Sequence, residues 1–265
     1  MNDAKLKPTL LIFCLISSLT VFCRSCYAKC HDHDQEFNYD EGSGRGPSEW
    51  GSLDPNWRAC GEGKSQSPIE LYQMVKHAPE LGKLKRAYRA APATIANRGH
   101  DVAVTWKGDA GKIRINGTTY RLQQCHWHTP SEHSIYGKRF DMELHMVHSS
   151  YDGSIAVVAF LYMFGESDPF LSMLLPHIIS LGKGEHQLGR VNPKQIGFPS
   201  EKYYRYGGSL TTPPCTEGVI WTIFQQVKMV SPLQVQALKN AVDPGFQMNA
   251  RPSQQLHGRS VYLYQ

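Results

Sequence analysis

The sequence predicts a mainly β protein, a single domain built on a large mixed sheet with helices at its periphery. Three observations predict it. Six segments alternate apolar and polar residues or run apolar over strand-like lengths, with Gly, Pro, Asn and Asp between them. Only two segments carry helix-start chemistry ahead of an apolar helical face. From Phe37 to the end there is no linker, repeat or low-complexity tract, and the 265 residues suit one ordinary core.

Along the chain, residues 1–28 read as a secretory signal. Lys5 and Lys7 give the positive start, residues 9–22 are an apolar stretch of 14, and Cys26-Tyr27-Ala28 ends in a small residue suited to cleavage. The competing reading, a membrane anchor, needs about 20 apolar residues. Residues 29–36 are polar and read as a solvated tail, so the folded domain is expected over 37–265. The predicted strands are residues 101–106, 112–115, 120–127, 142–147, 155–164 and 219–230. Asn116-Gly117-Thr118 falls in an expected hairpin turn and is the one Asn-x-Ser/Thr sequon without Pro, so behind a signal peptide Asn116 is a candidate glycosylation site. One helix is expected to begin at Asp168-Pro169, with a capping carboxylate and Pro at its first position. A second begins at Ser231-Pro232, where Leu233, Ala237, Leu238 and Ala241 share a face.

The net charge of +5 includes +2 from the signal segment, and no basic stripe appears elsewhere. Nucleic-acid binding therefore has no electrostatic support. No segment is long and apolar enough for a stable membrane span. Cys30, Cys60, Cys125 and Cys215 remain after the signal, and secretion favours a disulfide among them without spacing naming the pair.

Five of the 12 histidines fall between positions 126 and 148. In a strand, residues two apart share a face, so His126 and His128 project together while Cys125 and Trp127 face the other side. In the segment 140–148, Glu143, His145 and Val147 form one face and Met142, Leu144 and Met146 the other. A reversing turn around Gly137 brings this segment beside the first, which makes His145 the third ligand of a Zn2+ site; His148 has the wrong parity. Three imidazoles leave a fourth position open for water, the arrangement of a catalytic zinc. Glu143, two residues from His145, and Gln124, two from His126, are placed to hold imidazole N–H groups.

These residues belong to a wider pattern. Ser131-Glu132-His133, Ile135, Phe140 and Glu143-Leu144-His145-Met146-Val147 resemble the signature of alpha-class carbonic anhydrases. Gln66-Ser67-Pro68-Ile69, Asn97-Arg98-Gly99-His100, Ser209-Leu210-Thr211-Thr212-Pro213-Pro214-Cys215 and Asn249-Ala250-Arg251-Pro252 fit the same family. The similarity runs from about Tyr39 to the end, and the wording around His126 is most like plant secretory members. The resemblance implies a mostly antiparallel twisted sheet of about ten strands with a central zinc funnel. It implies reversible hydration of carbon dioxide to bicarbonate and a proton by zinc-bound hydroxide, with carbon dioxide and bicarbonate the small-molecule partners. By the same resemblance His126, His128 and His145 match zinc ligands, and Gln124 and Glu143 their supports. Thr211 matches a gatekeeping hydroxyl that donates to Glu132, and Thr212 lines the substrate site. His100 matches the proton shuttle; by itself it reads as a surface histidine in a turn. Val147, Ile155, Val157, Leu210, Val219 and Trp221 match the apolar cavity wall, and Cys60 and Cys215 match a disulfide of extracellular members.

Departures surround His100, where Arg98, Asp101 and Ala103 replace the neutral or amide residues of some members. Phe37 stands where Trp is common, and Cys125 is unusual beside a ligand. The expected location is extracellular or cell wall, with a plastid as alternative; oligomeric state stays open. Two other readings compete. Plants contain storage proteins resembling this family, and a three-histidine site can hydrolyse esters, although no GxSxG or HExxH motif supports a dedicated hydrolase.

Overall fold

The computed structural model describes residues 37–198 and 200–265; the expected signal peptide (1–28) and polar tail (29–36), with Cys30, lie outside the described residues. The strands are β1 (Val75–His77), β2 (Lys85–Tyr88), β3 (Ala91–Asn97), β4 (Val102–Trp106), β5 (Gly111–Ile115), β6 (Thr118–His128), β7 (Ser134–Ile135), β8 (Lys138–Arg139), β9 (Met142–Ser149), β10 (Ile155–Phe164), β11 (Glu185–Val191), β12 (Tyr203–Ser209), β13 (Glu217–Val230) and β14 (Val261–Tyr264). Twelve of them join one sheet in the order β1-β14-β12-β13-β10-β9-β6-β4-β3-β11, with β5 pairing β6 and β2 pairing β5. The β10–β13 and β1–β14 pairs are parallel and the other pairs antiparallel. The expected mainly β fold on a large mixed, mostly antiparallel sheet is what the chain adopts.

The sheet separates two apolar layers, which explains the continuous apolar run of β10. Its Ala156, Val158, Phe160 and Tyr162 pack with Leu144, Met146 and Phe224 on one side. Its Val157, Ala159 and Leu161 pack with Val219, Trp221 and Ile223 on the other. A strand buried on both faces has no polar positions to alternate with. Each such Val, Leu or Phe contributes about 1.5–3 kcal/mol by leaving water. Where one face meets solvent the alternation returns: in β5, Ile113 and Ile115 are buried while Lys112 and Arg114 are exposed.

Among the described residues, four α-helices lie at the edges: α1 (Trp50–Leu53), α2 (Ala59–Glu62), α3 (Pro169–Ile179) and α4 (Pro232–Ala241). Both helices expected from the sequence form with the expected caps. The Asp168 side chain accepts from Leu171 N–H, and the Ser231 side chain from Gln234 N–H. Gln234 also joins them, accepting from Asp168 N–H (2.9 Å) and donating to the Asp168 carbonyl (2.8 Å).

Strands β3, β11 and β12 are not legible as periodic segments. Ala91–Asn97 is Ala-rich and contains Pro92, and Tyr203–Ser209 contains Gly207 and Gly208. Gly208 is required by a close approach, since a Cβ there would collide with the Ser67 hydroxyl.

Candidate metal centre

β6 and β9 run antiparallel with His126 directly opposite His145. His126 and His128 share a face of β6, so three imidazoles meet, with ring centroids 4.6–5.2 Å apart. One nitrogen of each lies within 4.8 Å of the others. The remaining nitrogens are held by oxygens: His126 Nδ1 by Gln124 Oε1 (2.9 Å), His128 Nδ1 by the Asn249 carbonyl (2.7 Å) and His145 Nε2 by Glu143 Oε1 (2.8 Å). With those nitrogens protonated, the free lone pairs fall on His126 Nε2, His128 Nε2 and His145 Nδ1, the atoms that converge. Burial lowers the pKa of His126 and of His145, against the opposing pull of Asp101 and Glu143, and keeps both rings neutral.

The donor set fits a zinc ion. His128 Nε2 is fully buried without a hydrogen-bond partner, and so is Glu132 Oε2, 3.6 Å away. An unpaired buried polar atom costs about 1–3 kcal/mol. Three imidazole nitrogens facing one point match the three-ligand set that a catalytic zinc takes.

A second cluster, His133, Glu143 and His145, is different because its contacts are already made. Glu143 Oε1 takes His133 Nδ1 (2.7 Å), and Oε2 accepts the N–H groups of Glu132 (2.9 Å) and His133 (2.8 Å). Burial would raise the Glu143 pKa, but His133 and His145 outweigh it and hold the carboxyl well below the usual range. His133 Nε2 meets Tyr206 Oη (2.8 Å), which meets Ser67 Oγ (2.7 Å). This chain of contacts braces Glu143 and hence His145. His133 and Ser67 stand inside the sequence motifs, but their bracing role is not legible there, because the connection crosses strands far apart in sequence.

The expected hydrogen bond from Thr211 to Glu132 is absent. Glu132 Oε1 accepts from the backbone N–H of Arg251 (2.9 Å), and Oε2 faces His128 and His145 instead. Arg251 in turn donates to Gln66 Oε1, to the Ser67 carbonyl and to the Cys60 carbonyl, each at 2.8 Å. Thr211 is buried, and Thr212, half-buried, follows it. The loop beyond is tied down by the Cys60–Cys215 disulfide, whose Cα atoms are 5.0 Å apart. The Cys215 N–H donates to the Thr212 carbonyl (2.9 Å) and the Leu210 N–H to the Thr216 carbonyl (3.0 Å). Val157, Val219 and Trp221 form an apolar wall with Val147, Ile155 and Leu210 against it, and the Trp221 ring lies 4.8 Å from His145.

His100, one-quarter exposed, is not in the cluster of three and lies against the rings of Phe37 (5.6 Å) and Phe246 (6.4 Å). Its Nε2 is 3.5 Å from Asp101 Oδ2. Asp101 is 1% exposed and bound through both carboxylate oxygens by Arg98, with Nε–Oδ1 at 2.7 Å. Burial works to raise the Asp101 pKa, but Arg98, with His100 and His126, outweighs it and keeps the carboxyl far below its usual range. Burial lowers the His100 pKa; Asp101 pulls it up and Arg98 pushes it down. Cys125 is a buried free thiol on the face of β6 away from the histidines, and His148 is buried against Tyr88 Oη (2.9 Å), also away from them. Asn116 and Gly117, with φ of 50° and 83°, make the expected hairpin turn between β5 and β6.

Comparison with known proteins follows the same lines. Residues 45–265 match the sequence model of the eukaryotic-type carbonic anhydrase family. Alpha carbonic anhydrase 4 of Arabidopsis thaliana is 48% identical, covering 88% of this chain and 87% of the relative. Dioscorin dioA3 of Dioscorea japonica is 47% identical over 98% of this chain and 96% of its own. A crystal structure of dioscorin complexed with ascorbate superposes with a TM-score of 0.84 at 46% identity, covering 86% of this chain and 98% of that one. The alpha-carbonic anhydrase from Thermovibrio ammonificans, solved with the inhibitor sulfanilamide, gives 0.77 at 32% identity, covering 85% and 98%.

Proposed function

The chain belongs to the eukaryotic-type carbonic anhydrase family, and from that premise we propose that it is a zinc enzyme hydrating carbon dioxide reversibly to bicarbonate and a proton. The observation that carries the reading is the convergence of three buried imidazoles, each with its second nitrogen fixed by an oxygen and one, His128 Nε2, without a partner. Zinc on His126 Nε2, His128 Nε2 and His145 Nδ1 would make a water acidic enough to supply a nucleophile at neutral pH.

The other roles fall to the chain's own groups. Gln124, Glu143 and the Asn249 carbonyl orient the rings. Val147, Val157, Leu210, Val219 and Trp221 offer an apolar wall to an apolar substrate, and Thr212 lines its rim. Thr211 supplies a hydroxyl to orient the nucleophile, and Glu132 Oε2, buried and without a partner, faces His128 and His145. His100, partly exposed, takes the proton released in the reaction and hands it to solvent. Secretion through residues 1–28, with the folded domain beginning near Phe37 and a glycan on Asn116, completes the reading; the disulfide is consistent with an oxidising compartment. Intact mass of the secreted protein checks both signal removal and the glycan.

The test of the metal site is His145→Ala. Metal analysis of the purified protein is expected to give one zinc per wild-type chain and little in the variant, with hydration lost. Full zinc occupancy in His145→Ala would refute the assignment.

A further inference from the structure

On the opposite side of the sheet from the histidines lies a cavity of about 250 Å3, lined by Lys83, Lys85, Arg114, Asn116, Tyr203 and Arg205 among others. The side follows from the parity of β12. Tyr204 and Tyr206 pack in the layer that contains Trp221, whereas Tyr203, which has the parity of Arg205, packs in the other. We propose that this cavity binds a phosphate-type oxyanion, gripped by Arg205 at its floor and by Lys83, Lys85 and Arg114 at its mouth.

Arg205 is the central observation. It is 8% exposed, and among the described residues its guanidinium is held by a hydroxyl and a ring: Nε donates to Thr222 Oγ1 (2.9 Å), and the group lies 4.9 Å from the Tyr203 ring centre. Among the described residues, none of the four cations forms an ion pair with a carboxylate. A buried cation normally has a charged partner or a full set of acceptors. Arg86, on the strand between Lys85 and Tyr88, shows the usual solution by pairing with Glu201 at 2.9 Å. Burial lowers the pKa of Arg205, and only the tyrosines 203 and 120 act against it.

Three further cations line the same cavity. Lys85 and Arg114 are register partners across β2 and β5, and both are exposed. Lys83 lies two residues before Lys85 on the approach to β2. Like charges held together raise the local potential for an anion. The planar guanidinium fork of Arg205 suits two oxygens of a tetrahedral anion, and the lysines suit its remaining charge. The volume exceeds that of a bare ion, so the same chemistry admits free phosphate or a phosphomonoester with a small organic group.

The site is separate from the metal centre, so it stands or falls independently of the catalytic reading. Calorimetric titration of the zinc-loaded chain at low salt, with inorganic phosphate and with glucose 6-phosphate, tests it. The comparison is a Lys83→Gln/Lys85→Gln/Arg114→Gln variant, whose changes are all at exposed side chains. Saturable binding to wild type, at least about tenfold weaker in the variant with carbon dioxide hydration unchanged, is expected. Tighter binding of glucose 6-phosphate assigns the site to an organic phosphate, and tighter binding of phosphate assigns it to the free ion. Equal affinity in wild type and variant, which places the anion elsewhere, overturns the proposal. So does the absence of saturable binding by either probe. Arg205→Gln, checked for folding by circular dichroism, is expected to remove the remaining affinity.

Discussion

Asp101 is buried, charged and bound by Arg98 through both carboxylate oxygens, and its Oδ2 also lies 3.5 Å from His100 Nε2. On the proposed reading of His100 as proton shuttle, the carboxylate is a positioning group for the imidazole, which lies against Phe37 and Phe246. Asp101→Asn is expected to lower steady-state hydration about tenfold in dilute buffer, with zinc content and carbon dioxide–bicarbonate exchange at equilibrium unchanged. Added imidazole restores part of the loss. Loss of the negative charge also lowers the His100 pKa, so the pH–rate profile shifts to lower pH; a purely structural role would leave that profile in place. Another histidine reports on stability. Burial lowers the His148 pKa to about 4, while an unfolded histidine titrates near 6.5. Between those values the unfolded chain binds a proton that the folded chain refuses. Stability is therefore full above about pH 6.5 and falls by about 3 kcal/mol as pH drops to about 4. Denaturant melts of His148→Gln are expected to show a flatter pH dependence in that window. At this scale the sequence is informative where local parity decides a side chain's direction, as for His126, His128 and His145. It is silent on His128's oxygen partner, because the Asn249 carbonyl arrives from a loop 121 residues away.

Among the elements, the strands that alternate or run apolar are legible, and β4, β5, β6, β9, β10 and β13 appear where expected. Asp168 and Ser231 mark both longer helices through side chains that cap their own backbone. Of the strands without a periodic signal, β3 and β12 owe their state to neighbours: β3 is paired on both sides by β4 and β11, and β12 by β13 and β14. Such pairing overrides weak local propensity. The Thr211 loop depends on a distant element too, since Cys215 is tied to Cys60 in α2 across 155 residues. The chain-entropy argument gives up to about 5 kcal/mol for a loop of that length. A Cys60→Ser/Cys215→Ser variant is expected to lose several kcal/mol in urea melts, to retain its zinc, and to hydrate carbon dioxide more slowly as the loop loosens. Unchanged stability would show that α2 and the loop are held by Arg251 and Gln66 without the covalent link.

For the molecule as a whole, one twisted sheet does two things: it carries the histidines on neighbouring strands and it divides two apolar layers. The motifs along the chain point to the family, and the fold and the comparisons bear that out. Family membership leaves one contrast to be decided, since relatives of similar identity include both alpha carbonic anhydrases and dioscorins. The three histidines, with Gln124, Glu143 and the Asn249 carbonyl holding them, are the ground on which catalysis is proposed. The most direct test is stopped-flow carbon dioxide hydration by the purified mature chain, before and after removal of metal by a chelator and again after zinc is returned. The account predicts hydration well above the buffer rate, loss on chelation and recovery with one zinc per chain. A zinc-loaded, folded chain that hydrates carbon dioxide no faster than buffer would contradict it.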